Sequence, residues 1–195
     1  MPLLISLHGL PGSGKDTFAN SLTEGCWSNM KFSTPIKLGL TAMFNIPLAD
    51  MESPLIKNKE NYRWNKSIRY LLQTLGTEFG RNLIQDDIWL ELGREAIEHQ
   101  FSHGMNVVNT DLRFPNEAKM VKELGGYIVH IIRDNNENAI NSAASGLKNH
   151  PSDSGIPLEL IDFTIYNNHS IEMFHDEVAK VIYQIVESQT SPPSR

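Results

Sequence analysis

Leu3 to Leu7 is a short apolar run closed by glycines, with no polar alternation, the pattern of a strand buried on both faces of a parallel sheet. Three further runs carry strand character: Met105–Asn109, Tyr127–Ile132 and Phe163–Tyr166. Between them the period changes to three and four. Thr17–Leu22 predicts a first helix ending near Gly25. At Phe32–Pro35 a strand end turns into a helix with Pro35 in its first turn and Ile36, Leu40 and Phe44 on one face. Ile68, Leu71, Leu72, Leu75, Phe79 and Leu83 predict one helix over 67–83. A second follows at once, capped by Asp86 or Asp87, with Ile88, Leu92, Ala96 and Phe101 as its stripe. Pro115 starts a helix that Gly125-Gly126 stops, and a last helix spans Ile171–Val186.

Strands alternating with helices give the fold class, an α/β protein with a parallel sheet covered by helices on both faces, in three layers. Two stretches lack a period. Residues 46–65, with Pro47 and Pro54, read as a loop or mobile insertion, and 135–157, rich in Asn, Ser and Gly, as a surface loop with room for one short helix. Residues 188–195 read as a disordered tail, so 1–187 form a single domain.

Composition narrows this picture. The chain has 195 residues, 40% of them hydrophobic, enough to bury a core without disulfides or a structural metal. Its one cysteine, Cys26, forbids an internal disulfide and fits a reducing, cytoplasmic setting. The amino end has no basic region before its apolar run, and no stretch is long enough to span a membrane. A net charge of −6 argues against nucleic-acid binding, but a small anionic ligand can still be held by locally gathered cations.

Such a gathering follows the first strand. Gly9-Leu-Pro-Gly-Ser-Gly-Lys15 lies between a strand and a helix, the context of a phosphate loop, so the fold becomes a P-loop NTPase fold binding ATP. The backbone of Gly12, Ser13 and Gly14 would turn its N–H groups toward phosphate oxygens, with Lys15 reaching the β and γ phosphates. Where this pattern usually has Ser or Thr after the lysine, Asp16 stands, with Thr17 next. Asp16 either holds Mg²⁺ through a water or caps the helix. The loop resembles that of adenylate kinase and related nucleoside monophosphate kinases, which places Thr17 on the α phosphate.

Three polar clusters offer an acceptor site. Arg69, Gln73, Thr77 and Arg81 follow at steps of four on one helix face, where an amide can pair with a base edge and an arginine can grip a phosphate; a solvated face would read the same. Asp111-Leu-Arg-Phe-Pro-Asn-Glu117 sits at the carboxyl end of a strand, over the crevice of a parallel sheet. There Arg113 would stabilise transferring charge while Asp111 and Glu117 orient it or take bonds from the acceptor; an ion network that only fixes the turn is the other reading. Arg133 with His150–Asp153 suits a lid over ATP, the lid-like loop covering about 134–157. Trp89 either stacks on a base or fills its helix's core.

Taken together, Gly-Ser-Gly-Lys-Asp-Thr-Phe-Ala, Leu71-Leu-Gln-Thr-Leu-Gly-Thr-Glu78 with Gly80-Arg81 and Asp87-Ile-Trp89, and Asp111-Leu-Arg-Phe-Pro-Asn-Glu117 resemble the bacteriophage deoxynucleoside monophosphate kinases. The resemblance implies transfer of the ATP γ-phosphoryl group to a deoxynucleoside monophosphate, an acceptor-binding helical region over about 46–102, and a homodimer. A phage-encoded enzyme would work in the host cytoplasm. By matching motif, Lys15 serves the phosphates, and Asp111, Arg113 and Glu117 the acceptor, with Gln73 and Trp89 beside them. A P-loop kinase of another acceptor, such as dephospho-coenzyme A or phosphomevalonate, and a nucleotide-gated assembly ATPase are the competing readings.

Overall fold

The computed structural model describes residues 2–22, 25–61, 63–134 and 155–190. Five strands form one parallel sheet: β1 (Leu4–His8), β2 (Trp27–Met30), β5 (Asn106–Asn109), β6 (Tyr127–Ile132) and β7 (Phe163–Tyr166), in the order β2-β5-β1-β6-β7. β1 is central, paired Ser6 to Asn109 on one side and His8 to His130 on the other. Leu4, Ile5 and Leu7 are all buried because both faces are covered. Leu3, Ile5 and Leu7 pack with Phe18, Phe174, Val178 and Ile185, contributed by α1 (Lys15–Leu22) and a last helix, α8 (Ile171–Thr190). Leu4 packs on the other face with Leu90 and Ile97 of α6 (Ile88–Ser102) and Met120 and Val121 of α7 (Pro115–Glu123). The expected three-layer fold is therefore present, and all strand carboxyl ends meet on one edge. Among the described residues, no helix is long and apolar enough to cross a membrane.

The stretch expected to be a loop is ordered and has its own core. After α2 (Thr34–Phe44) come α3 (Leu48–Glu52), α4 (Pro54–Lys57) and a small hairpin of β3 (Glu60–Asn61) and β4 (Lys66–Ser67). Leu40, Ile46, Met51 and Ile68 are buried together, and Trp64 meets Phe44 edge to face, their centroids 5.2 Å apart. The prolines that looked like loop markers start or precede short helices: Pro47 stands at the amino end of α3 and Pro54 opens α4.

A second correction concerns the helix over 67–83. Only Ile68–Gln73 (α5) is α-helical, and Thr74–Ile84 continues as a π-helix, closed where the Gln85 N–H donates to the Gly80 carbonyl at 3.0 Å. Glycines permit the widened turn. A Cβ on Gly80 would collide with the Trp89 indole, and the Trp89 Nε1–H donates to the Gly76 carbonyl at 2.6 Å.

Smaller differences follow the same packing logic. In α6 the inward positions are Leu90, Gly93 and Ile97, whereas Leu92 is exposed, because Gly93 admits the ring of Phe32 against the helix backbone. Asp87 stands at the amino end of α6 without capping it; its Oδ1 accepts from Asn116 Nδ2 at 2.6 Å. The last helix runs to Thr190, three residues into the expected tail, while residues 135–154 of the expected lid and residues 191–195 of the tail lie outside the described residues.

Because Met51 is buried in a packed subcore, Met51→Ala is expected to lower stability by about 2–5 kcal/mol in urea unfolding, where a loop residue would change it by little.

Candidate active site

Between β1 and α1 the loop reverses direction through positive φ at Gly9, Gly12 and Gly14, of 147°, 80° and 118°. At Gly14 the space is closed as well: an added Cβ would lie 2.6 Å from Asn167 Nδ2. That amide donates to the Ser13 carbonyl at 2.8 Å, so the loop after β7 buttresses the phosphate loop. Lys15 folds back over the turn and donates to the carbonyls of Gly9 at 2.6 Å and Leu10 at 2.9 Å. Burial, with the nearby positive charge of Arg113, pulls its ammonium down to about 8. A cleft of about 250 Å³ opens beside it, lined by Gly14, Lys15, Asp16, Thr17, Arg133 and Asn167, with His169 at its rim. Lys15, Asp16, Thr17 and Arg133 are thus together, as expected.

Asn167 and His169 escaped the sequence reading. The signal was present, since Asn167-Asn168-His169-Ser170 lies at the carboxyl end of β7, the same position that drew attention to Asp111 after β5.

In the Asp111–Glu117 segment the two acids bond to main chain and hold the turn, the second of the two readings given for them. Both Asp111 oxygens are taken by backbone, from Phe32 N at 2.8 Å and Ser33 N at 2.9 Å, so Asp111 ties the start of α2 to the end of β5 instead of facing an acceptor. Glu117 accepts from the N–H groups of Arg113 and Phe114 at 2.9 and 3.0 Å and from Arg81 Nη2 at 2.9 Å. It is 3% exposed, and burial pushes its carboxyl up to about 7 against the pull of those three donors. Arg81 is as deeply set, its guanidinium 4.0 Å above the Phe114 ring and bonded also to the Asp86 carbonyl. Arg81 and Glu117 therefore form a buried pair that holds the turn, and neither side chain lines the cleft. Trp89 packs on the π-helix, and its indole N–H is already committed to Gly76.

What remains exposed on this turn is Arg113, whose charge acts on Lys15. Across from it, Arg69 Nε donates to Asn58 Oδ1 at 2.7 Å, which fixes α5 against the end of α4, and Gln73 sits half-buried in the last turn of α5. Arg69 and Arg81, expected on one face, have different partners: Asn58 for Arg69, and Glu117 with the Asp86 carbonyl for Arg81. A chain of charges links the two sides: Lys31 lies 3.2 Å from Asp16 and 3.8 Å from Glu52, which is 2.7 Å from Lys37. Burial pulls Lys31 down, but Asp16 and Glu52 outweigh it and hold the ammonium above its ordinary value.

A family model described as deoxynucleotide monophosphate kinase matches residues 47–178, from the start of α3 to the middle of α8. The chain belongs to this family. A protein of Acanthamoeba polyphaga mimivirus, provisionally named a deoxynucleotide monophosphate kinase, is 29% identical over 197 residues, covering 92% of this chain and 96% of its own. The deoxynucleoside-5'-monophosphate kinase of Escherichia phage T5 is 25% identical over 233 residues, covering 86% and 90%. A crystal structure from Chloroflexus aurantiacus, provisionally described as a kinase, superposes with a TM-score of 0.53 at 12% identity over 97% of this chain and 98% of that one, a likeness of fold alone. The match of the family model begins at residue 47, beyond the glycine-rich loop of residues 9–15.

Asp16 offers this kinase one carboxylate on the cleft wall, its side chain 75% exposed, which suits a Mg²⁺ ion that keeps its waters and takes the rest of its ligands from phosphates. Asp111, with both oxygens engaged, offers none.

The lowered value of Lys15 sets a stability test. Between about 8 and the ordinary 10.5 the folded chain holds fewer protons than the unfolded one, so the penalty of burying the ammonium is full below pH 8 and fades as pH rises. Lys15→Met should abolish turnover and, without nucleotide, unfold at an equal or higher temperature than the parent, with its advantage shrinking from pH 7 to pH 10. Scanning calorimetry across that range checks it.

Proposed function

We propose that the chain transfers the γ-phosphoryl group of ATP to the 5′-phosphate of a deoxynucleoside monophosphate. An acceptor phosphate oxygen attacks the γ phosphorus, the bond from that phosphorus to the β–γ bridging oxygen breaks, and ADP and a deoxynucleoside diphosphate result. The observation that carries the reading is the placement of Arg113: exposed, held by the buried Glu117 through its own backbone N–H, and acting on Lys15. A cation fixed there faces the charge that spreads over the transferring group.

In this reading Gly12, Ser13, Gly14 and Thr17 present the loop's N–H groups and hydroxyl to the ATP phosphates, Lys15 exchanges its two carbonyl partners for phosphate oxygens, and Arg133 and Asn167 wall the donor side. Mg²⁺, its water held by Asp16, supplies further charge neutralisation when bound. Arg69 and Gln73 face the acceptor, whereas Arg81, Trp89, Asp111 and Glu117 act one step back, by fixing the elements that carry Arg113 and Gln73. No protein nucleophile or base is needed, since the attacking phosphate is already anionic, and catalysis is positioning and charge. The protein works in the cytoplasm as a homodimer, and its mass in solution checks the second point.

A coupled ADP-release assay with each deoxy- and ribonucleoside monophosphate is expected to show strong stimulation by one or more deoxynucleotides. Arg113→Ala should lower kcat by about 10²–10³-fold. Stimulation by none of them would shift the assignment to a kinase of another acceptor.

A further inference from the structure

One cation on the acceptor side has no role in the description above. Lys57 ends α4, in the segment that looked like a loop from sequence, and its side chain is half-buried. Among the described residues no carboxylate forms an ion pair with it. Glu52 on α3 is the acid that bears on it, and Glu52 is engaged by Lys37 at 2.7 Å and Lys31 at 3.8 Å. The other charges facing Lys57 are positive: Arg69 from α5, Arg113 from the turn after β5 and Lys37 from α2. Its position is also fixed, because the next residue, Asn58, is the one that accepts from Arg69 Nε. The positive charge of Arg113 bears on both Lys15 and Lys57.

A half-buried ammonium crowded by like charges, whose one acidic neighbour Glu52 is already engaged by Lys37 and Lys31, is unfavourable by itself, and such groups gather where a ligand brings the opposite sign. We propose that Lys57 is a direct ligand of the acceptor's 5′-phosphate, completing with Arg69 and Arg113 a three-cation cradle fitted to a doubly charged monophosphate. The inference rests on the kinase reading and adds to it a residue outside the Asp111–Glu117 and Arg69–Arg81 segments. It also explains why α4 is pinned to α5 by a short hydrogen bond: a cradle of three like charges needs its backbone held before the anion arrives. Burial and Arg69, then Arg113, pull the Lys57 ammonium down to about 8, so the anion restores a proton to the site when it binds near that pH.

The test is a calorimetric titration of the parent protein, Lys57→Gln and Lys57→Arg with deoxynucleoside monophosphates and with inorganic phosphate, in the absence of ATP. Expected are a loss of monophosphate affinity of at least tenfold in Lys57→Gln, recovery of most of it in Lys57→Arg, unchanged ATP affinity in both, and an unfolding temperature of the free Lys57→Gln protein equal to or above the parent's at pH 7. At pH 8.5 the parent should take up protons on binding, seen as a dependence of the heat on buffer, and Lys57→Arg should take up fewer. Affinity within twofold of the parent in Lys57→Gln, an equal fall in ATP affinity, or no binding of any monophosphate by the parent would overturn the proposal. A parent that binds a deoxynucleotide through Lys57 yet releases no ADP with it would leave the cradle standing and overturn the kinase reading instead.

Discussion

The π-helix over Thr74–Ile84 is joined to the sheet through the buried carboxylate of Glu117. Three donors converge on it: two backbone N–H groups of the turn after β5 and the guanidinium of Arg81 from the π-helix. A carboxylate satisfied in this way fixes the first turn of α7, the path of the chain through Arg113 and the distance between π-helix and sheet in a single interaction. Removing one member of such a buried pair typically costs about 3–5 kcal/mol, because the other charge is stranded. Phe114 adds a second constraint by stacking under Arg81. The exposed Arg113 side chain can therefore be free at its tip and still be aimed, since its main chain is held by a group that water does not reach.

Asp111 does the same for α2, taking the two N–H groups that lead into it. The two acids of one short motif thus anchor two different helices of the acceptor half to the carboxyl edge of the sheet, where the phosphate loop also lies. On the other flank Lys31 spans Asp16 of α1 and Glu52 of α3, joining the donor helix to the third core. These contacts differ in kind. The Glu117 pair is buried and rigid, while the Asp16 and Glu52 carboxylates are 75% and 54% exposed and their pairing is weakened by water and salt. Charge arriving at Asp16 would compete for Lys31 at little cost, so the flank can rearrange where the motif cannot.

The layers of the fold could be read from sequence because apolar runs such as Leu4–Leu7 and the Gly-Lys loop report local physics: a strand covered on both faces, and a backbone that must turn through positive φ. What could not be read depended on contacts between distant residues. Residues 46–65 contribute Ile46 and Met51 to a core whose other half comes from Leu40 and Ile68, and no window of 20 residues contains that burial. The π-helix was hidden for a related reason. Its leucines and phenylalanine keep a helical spacing, and only the indole of Trp89, packed into the gap at Gly80, favours the wider turn. The donor-side residues Asn167 and His169 were missed although the sheet edge pointed at them, because they follow a strand with no glycine-rich signal.

The polar motif shows why residue type alone misjudges a site. Asp111 and Glu117 were expected either to orient Arg113, to take bonds from the acceptor, or only to fix the turn, and each acid is engaged by main-chain donors within hydrogen-bond reach. Two main-chain N–H groups sit at each of these bends, and a carboxylate four residues on, or one turn away in space, meets them before any ligand does. An arginine has only donors, and a bend rich in N–H groups offers it nothing to bond. The same segment therefore sorts itself by chemistry: acids fold inward onto the backbone, and the arginine is left outside for an anion. Lys57 obeys the rule from the other direction, a cation at the end of a short helix whose nearby acid is already engaged. Both acids of the motif turn inward onto main-chain N–H groups, whereas Arg113 stays exposed and, among the described residues, no carboxylate forms an ion pair with Lys57.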